Sequence, residues 1–348
     1  MNMDMYAQSK AFSFDSKDRM QTIETMIREL NDSYVFPEVA KRMENDIRSR
    51  LKNGEYDKLT DGKAFAEKLT NDLRSISHDK HISVRFSEEI NPPRSVQSEP
   101  SAEEIVRFKE SVKMNNFAFE KVEWLPGNIG YLRFRGFIDP ESGAETVAAA
   151  MNFISNTDAL IIDLRKNGGG DPAMVALICS YLFGDKKVHL NDLYWRKGDR
   201  TEEYWTDPNV LGKKYLDKDV YVLTSGRTFS GAEEFSNNLK VLKRAVIIGE
   251  TTGGGANPGS LFRLGDHFSI FIPTGRAINP ITKTNWEGTG VEPDIKVSQE
   301  VALETAYLTA LKKAFETTKI EEKKNALRPL IEKAQKELDE MKGKIVEK

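Results

Sequence analysis

Residues 219–255, DVYVLTSGRTFSGAEEFSNNLKVLKRAVIIGETTGGG, read as strand, sharp turn, helix, strand and glycine loop. That succession points to an α/β protein with helices packed on a sheet. Val220, Val222 and Leu223 form a β-branched and apolar run that Ser225-Gly226-Arg227-Thr228 breaks. Ala232, Phe235, Leu239 and Leu242 then recur at helical spacing, so a helix starts near Ser230 with its apolar face inward.

A second unit, DALIIDLRKNGGGDPAMVALICSYLFGD, repeats the theme. Leu160, Ile161 and Ile162 are a continuous apolar run suited to a strand buried on both faces. Asn167-Gly168-Gly169-Gly170 is a loop, Asp171 a helix N-cap and Pro172 the first helical residue. No Gly-Lys-Ser/Thr follows, so the order does not make a phosphate loop. Three glycines can instead aim bare N–H groups at a substrate carbonyl.

Ser230 has two readings. Ser230-Gly231-Ala232-Glu233 fits a capping box, in which serine and glutamate satisfy each other's backbone donors. A serine at a helix start also lies beside free N–H groups able to stabilise an oxyanion. His81 is a candidate base in SISHDKHISVRF, where a strand would bury Ile82, Val84 and Phe86 and turn His81 to the polar side. An exposed histidine without a role is the alternative, and His78 is its nearest competitor.

Composition removes other classes. Charged residues are 30% of the 348, yet the formal net charge is only -3, which gives no global field for nucleic acid. Cys179 is the sole cysteine, and with four histidines the chain shows no metal-ligand spacing, so neither disulfide framework nor zinc site is expected. No apolar run approaches the about 20 residues of a membrane span. The start, MNMDMYAQSK, lacks the apolar core of a signal peptide.

The organisation expected is a helical bundle over 1–80, a strand and connector over 81–116, an α/β domain over 117–300 and a helical extension over 301–348. The bundle stripes are Met20, Ile23, Ile27 and Leu30, then Val39, Met43, Ile47 and Leu51, then Phe65, Leu69, Leu73 and Ile76. Residues 186–218 form an insertion whose Tyr194, Trp195, Tyr204 and Trp205 either line a groove or pack as a satellite core. The extension is expected to run to about Leu327 and break at Pro329. Its charged end suits a solvated face, with a homo-oligomer contact as the alternative.

DKHISV, DLRKNGGG, TSGRTFSGAEEF, IIGETTGGG and GTGVEPDI occur in that order, and together they resemble the C-terminal processing (tail-specific) serine peptidase family. Within it they resemble the branch of the tricorn core protease and interphotoreceptor retinoid-binding protein repeats, over roughly residues 60–300. The resemblance implies a crotonase/ClpP-like core of repeated ββα units. It also implies peptide or unfolded-protein substrates, no cofactor and export from the cytoplasm. By resemblance the nucleophile falls on Ser230, the base on His81, the carboxylate that orients it on Glu287, and the oxyanion donors on Gly231 and Gly169. Other relatives place a general-base lysine where this chain has Gly255, and no lysine stands within 249–259. Lys80 stands where the tricorn-like tetrad has a serine.

The chemistry implied is a serine made nucleophilic by a neutral imidazole, which a carboxylate holds in the useful tautomer. Two rivals stand beside it. One is an apolar-ligand (retinoid or lipid) binding module on the same fold. The other is a crotonase-like acyl-CoA enzyme, for which no basic cluster to hold adenine and phosphates is visible.

Overall fold

The computed structural model describes residues 14–91 and 101–346. Along the chain, α1 (Ser16–Ser33), α2 (Pro37–Lys52) and α3 (Gly62–Ser77) precede β1 (Ser83–Phe86) and α4 (Ala102–Met114). Then come β2 (Phe119–Leu125), β3 (Ile129–Phe134), α5 (Pro140–Ile154), β4 (Ala159–Asp163) and α6 (Pro172–Ser180). A hairpin of β5 (His189–Trp195) and β6 (Arg200–Trp205) leads to β7 (Asp219–Thr224), α7 (Gly231–Val241) and β8 (Val246–Gly249). The chain closes with β9 (Gly259–Arg263), β10 (Phe268–Pro273), β11 (Gly275–Ile278), β12 (Ile295–Lys296), α8 (Ala302–Thr317) and α9 (Glu321–Val346). These elements fall into two compact units.

The first unit joins the described N-terminal residues through 91 to Arg196–Gly198 and Pro258–Gly275. Asp15 caps α1 by accepting from the N–H groups of Lys17 and Asp18, and Pro37 opens α2. The stripes of Ile23, Ile27 and Leu30, of Met43 and Ile47, and of Phe65, Leu69 and Leu73 are buried as expected, whereas Met20 is exposed. The helices do not close on themselves. β1 pairs antiparallel with β10, and β10 with β9, so strands from far along the chain complete this core. Phe65, Phe86 and Phe268 meet there edge-on or tilted, with centroids 5.2–5.7 Å apart. The Arg196 guanidinium donates to the carbonyls of Asn31 (2.9 Å) and Tyr34 (2.8 Å), satisfying groups at the end of α1.

The second unit is built on a six-stranded sheet of order β12-β8-β7-β4-β3-β2, parallel except for the antiparallel edge strand β2. The apolar run in β4 is buried on both faces because each face has its own helices. Leu160 and Ile162 pack with residues of α5, α6 and α7, while Ala159 and Ile161 pack with α8 and α9. The same alternation in β7 sends Val220 and Val222 one way and Tyr221 and Leu223 the other. Of the β5–β6 aromatics, Trp195 and Tyr204 pack in a satellite core against Leu193, Ala256, Ala277, Trp286 and Val291, whereas Trp205 is exposed.

The break expected at Pro329 is corrected. The helices separate between Thr317 and Glu321, and α9 continues through Pro329. Pro329 and Asn325 are both exposed, so water can reach the carbonyl that proline leaves without its helical donor. Leu327, Ala334 and Leu338, buried with residues of α8, hold the helix on either side. Among the described residues no helix is long and apolar enough to cross a membrane.

Candidate active site

The turn from β7 into α7 is bolted to the segment that follows β4. The Thr228 hydroxyl donates to the Leu164 carbonyl (2.8 Å), the Ser225 hydroxyl to the Arg165 carbonyl (2.6 Å), and the Phe229 N–H to the Asn167 carbonyl (3.1 Å). These bonds deliver Ser230 at φ 54° and ψ −123° at the start of α7. A side chain at positive φ costs roughly 1–3 kcal/mol and persists only where its surroundings over-determine it. Here they do. A Cβ placed on Gly169, whose φ is +95°, would stand 2.6 Å from the Gly231 nitrogen and 2.8 Å from the Ser230 Cβ.

The glycine turn therefore packs on the serine elbow, and Asn167 sets its shape. Asn167 is fully buried, donates through Nδ2 to the Phe134 carbonyl (3.0 Å) and accepts at Oδ1 from the Gly169 N–H (2.9 Å). The Gly169 N–H, expected as an oxyanion donor, is thus engaged inside the protein. The adjoining Gly170 is exposed, and its nitrogen lies 3.1 Å from where a Cβ of Gly231 would be. Neither the Gly170 N–H nor the Gly231 N–H donates to another described residue.

Glu233, read from the sequence as the partner of Ser230 in a capping box, has a longer reach. Its Oε2 accepts from the Ser230 N–H (2.9 Å) and the Gly255 N–H (2.8 Å), and its Oε1 from the Thr252 hydroxyl (2.5 Å) and the Gly254 N–H (2.6 Å). Burial pushes its pKa up, against the pull of these four donors. Gly255, where the resemblance leads one to look for a lysine, is thus a backbone donor to Glu233.

The glycine loop in turn meets the segment carrying Glu287. The Ala256 N–H donates to Glu287 Oε2 (2.6 Å), the Trp286 indole to the Gly255 carbonyl (2.8 Å) and the Gly288 N–H to the Gly254 carbonyl (3.1 Å). Ser230 and Glu287 are therefore linked within one unit by hydrogen bonds through Glu233 and residues 254–256.

His81 belongs to the first unit. It lies in the turn just before β1 rather than within the strand, and its side chain is only 10% exposed, so the outward-facing position expected from strand alternation is corrected. Its ring stacks on Phe271, with centroids 6.1 Å apart. Asp79, also buried, accepts from the His81 N–H at Oδ1 (3.0 Å), and the same oxygen is 3.8 Å from the imidazole Nδ1. Arg74 clamps this segment by donating to the carbonyls of Ile82 (2.8 Å) and Lys80 (2.6 Å). His78 is the exposed left-handed cap of α3. The acid two residues before His81 and the asparagine opening the glycine triplet were the sequence signals for Asp79 and Asn167.

Burial, then the Arg74 charge, lowers the His81 pKa to about 4, so the imidazole is neutral at neutral pH. The unfolded chain binds that proton near the ordinary 6.5 while the fold resists it until about 4. Stability from this group is complete above about pH 6.5 and falls as the pH drops through about 4, by up to roughly 3 kcal/mol. Urea unfolding across that window is expected to show a steeper loss for the wild type than for His81→Phe.

Residues 128–297 match peptidase family S41, and residues 15–121 match the N-terminal domain of that peptidase type in eukaryotic IRBP. The chain thus carries the domains of peptidase family S41. It is 28% identical over 208 residues to carboxyl-terminal-processing peptidase 2, chloroplastic, of Arabidopsis thaliana, covering 58% of this chain and 39% of that protein. The match spans under half the length of the curated relatives, 36–44% of each. Its fold is similar to a lipoprotein from Streptococcus agalactiae (TM-score 0.55, 14% identity, 89% of this chain and all of that one). It is also similar to the tricorn protease (TM-score 0.54, 14% identity, 92% of this chain and 37% of that one).

Proposed function

We propose that this protein is a serine peptidase that hydrolyses peptide bonds through an acyl-enzyme on Ser230. The observation that carries this reading is the strained Ser230 at the head of α7, flanked by the N–H groups of Gly231 and Gly170 that bond to no other described residue. In the proposed cycle neutral His81 takes the hydroxyl proton as Ser230 Oγ attacks the carbonyl carbon. The proton then passes to the leaving amine as the C–N bond breaks. Water, deprotonated by the same imidazole, releases the acid product and restores Ser230. Glu287 holds the imidazole in its useful tautomer. Gly231 and the glycine turn of Gly169 and Gly170 receive the oxyanion, with Gly170 favoured because Gly169 donates to Asn167.

The core proposed is of the crotonase/ClpP-like type, with residues 117–300 as the catalytic domain between the N-terminal bundle and the C-terminal helices. The relatives' names, carboxyl-terminal-processing peptidases, support peptides or unfolded protein ends as substrates; an exported place of work is proposed from the family resemblance alone. No cofactor is required. The match of residues 15–121 to a domain of IRBP favours one second reading, an apolar-ligand binding module on the same fold.

A fluorophosphonate probe separates the two. Labelling is expected in the wild type, none in Ser230→Ala, and labelling slowed roughly 100-fold or more in His81→Ala and Glu287→Ala. Labelling that persists in Ser230→Ala refutes the peptidase reading, and an unlabelled wild type that binds retinoid equally well as Ser230→Ala establishes the second.

A further inference from the structure

One turn beyond the proposed nucleophile, α7 carries a second acid that the peptide chemistry does not use. Glu234 is only 5% exposed, and Asn238, on the same helical face, and Asn191, on β5, are not exposed at all. α7 packs on β5, which brings the Asn191 amide beside the Glu234 carboxyl. Among the described residues no hydrogen bond of normal length reaches Glu234 Oε1 or either amide atom of Asn191 or of Asn238, although the Asn191 amide lies close enough to the carboxyl to pull its pKa down. Five such buried polar atoms on α7 and on the strand packed against it, on residues whose backbones belong to regular elements, mark a site built to hold something small and polar.

The surroundings decide its charge. The groups that act on Glu234 are the Asp171 carboxylate at the N-cap of α6, the Cys179 thiol on α6, the Tyr204 hydroxyl on β6 and the Asn191 amide. None of them is a cation. Burial first, and Asp171 next to it, push the Glu234 pKa up to about 8 against the pull of Asn191.

We propose that Asn191, Glu234 and Asn238 enclose a buried water site beneath the serine helix, in which Glu234 is a neutral acid and thereby a positioning residue for Ser230. The proposal rests on the reading of Ser230 as nucleophile. Water supplies the two to four bonds that these amides lack, and the acid's O–H completes the set. Loss of that proton places an uncompensated charge one turn from Ser230 and close to Asp171, which drives α7 from its seat. Reactivity at Ser230 is then lost as the pH rises through about 8.

The test uses the full chain, with fluorophosphonate labelling rates and thermal unfolding midpoints from about pH 5 to about pH 9.5. The wild-type rate is expected to fall about tenfold per unit above about pH 8, and Glu234→Gln, which stays neutral, to match it at pH 6.5 and lack the fall. A raised acid stabilises the fold fully below its ordinary value and loses that contribution as the pH rises through the folded value. The midpoint of Glu234→Gln is therefore expected to exceed the wild type by a margin that grows from about pH 4.5 to about pH 8 and then levels. Glu234→Leu, which leaves the amides without an acid, is expected to react more slowly at every pH. The same alkaline fall in wild type and Glu234→Gln overturns the proposal, as does a Glu234→Leu variant as reactive as Glu234→Gln. A wild type unlabelled at every pH refutes the nucleophile instead, and the margin between midpoints still decides the state of Glu234. Should Glu234→Gln not fold, infrared difference spectra of the wild type between pH 6 and pH 9.5 decide: loss of a protonated-acid carbonyl band supports the proposal and its absence overturns it.

Discussion

Glu233→Leu is expected to lower the unfolding free energy by roughly 4 kcal/mol and the rate of Ser230 labelling by about 100- to 1,000-fold. The side chain removed is the acceptor for four donors from two stretches of chain: the Ser230 N–H, the Thr252 hydroxyl and the N–H groups of Gly254 and Gly255. Leucine fills a similar volume but accepts nothing. Each donor left buried without a partner costs about 1–3 kcal/mol, partly recovered where the loop can turn to water. The rate responds because Ser230 is held at positive φ by these same contacts, and relaxation of that torsion moves its hydroxyl. Glu233→Gln keeps one oxygen and presents an NH2 where donors converge, so an intermediate loss on both measures is expected. Urea unfolding and labelling rates check the ordering. A Glu233→Leu protein as reactive and as stable as the wild type would show that the glycine loop holds its shape unaided.

That role could not be read locally. Ser230-Gly231-Ala232-Glu233 satisfies the spacing of a capping box, and the bond from the Ser230 N–H to Glu233 is indeed made. The partners at 252–255 are set by the parallel pairing of β7 with β8, which no short window encodes. The elements that were legible are those whose pattern is fixed by two faces of burial: Leu160 to Ile162 needed helices on both sides of the sheet, and both sides have them. Patterns with one face went astray where the partner was distant. Met20 keeps helical spacing with Ile23 and Ile27 yet is exposed, on a helix whose unit is completed by β9 and β10 from beyond residue 258. His81 follows the strand alternation of Ile82 and Val84 but precedes the strand, and Phe271 covers its ring. Pro329 marks a place where a helix loses one bond, and exposure makes that loss cheap enough to keep the helix.

The glycine turn gives the other large effect. Gly169→Ala is expected to reduce Ser230 labelling by at least about 100-fold while stability falls by roughly 2–3 kcal/mol. Two independent costs meet at this position. Its φ of +95° is one that an L side chain rarely adopts, and the added Cβ would stand 2.6 Å from the Gly231 nitrogen, 2.7 Å from the Phe229 oxygen and 2.8 Å from the Ser230 Cβ. Two of those atoms are backbone, so no side-chain rotation relieves the contact, and the elbow itself must move. Displacement of Gly231 by a few tenths of an ångström misaligns the oxyanion donor proposed beside Ser230. Gly168→Ala is the control, since a Cβ there meets nothing within 4 Å. It is expected to leave labelling within about twofold of the wild type, its stability within the roughly 0.5 kcal/mol usual for exposed positions. Equal labelling rates for Gly168→Ala and Gly169→Ala, both folded, would show that the turn does not set the position of Ser230, and the link from glycine turn to nucleophile would have to be abandoned.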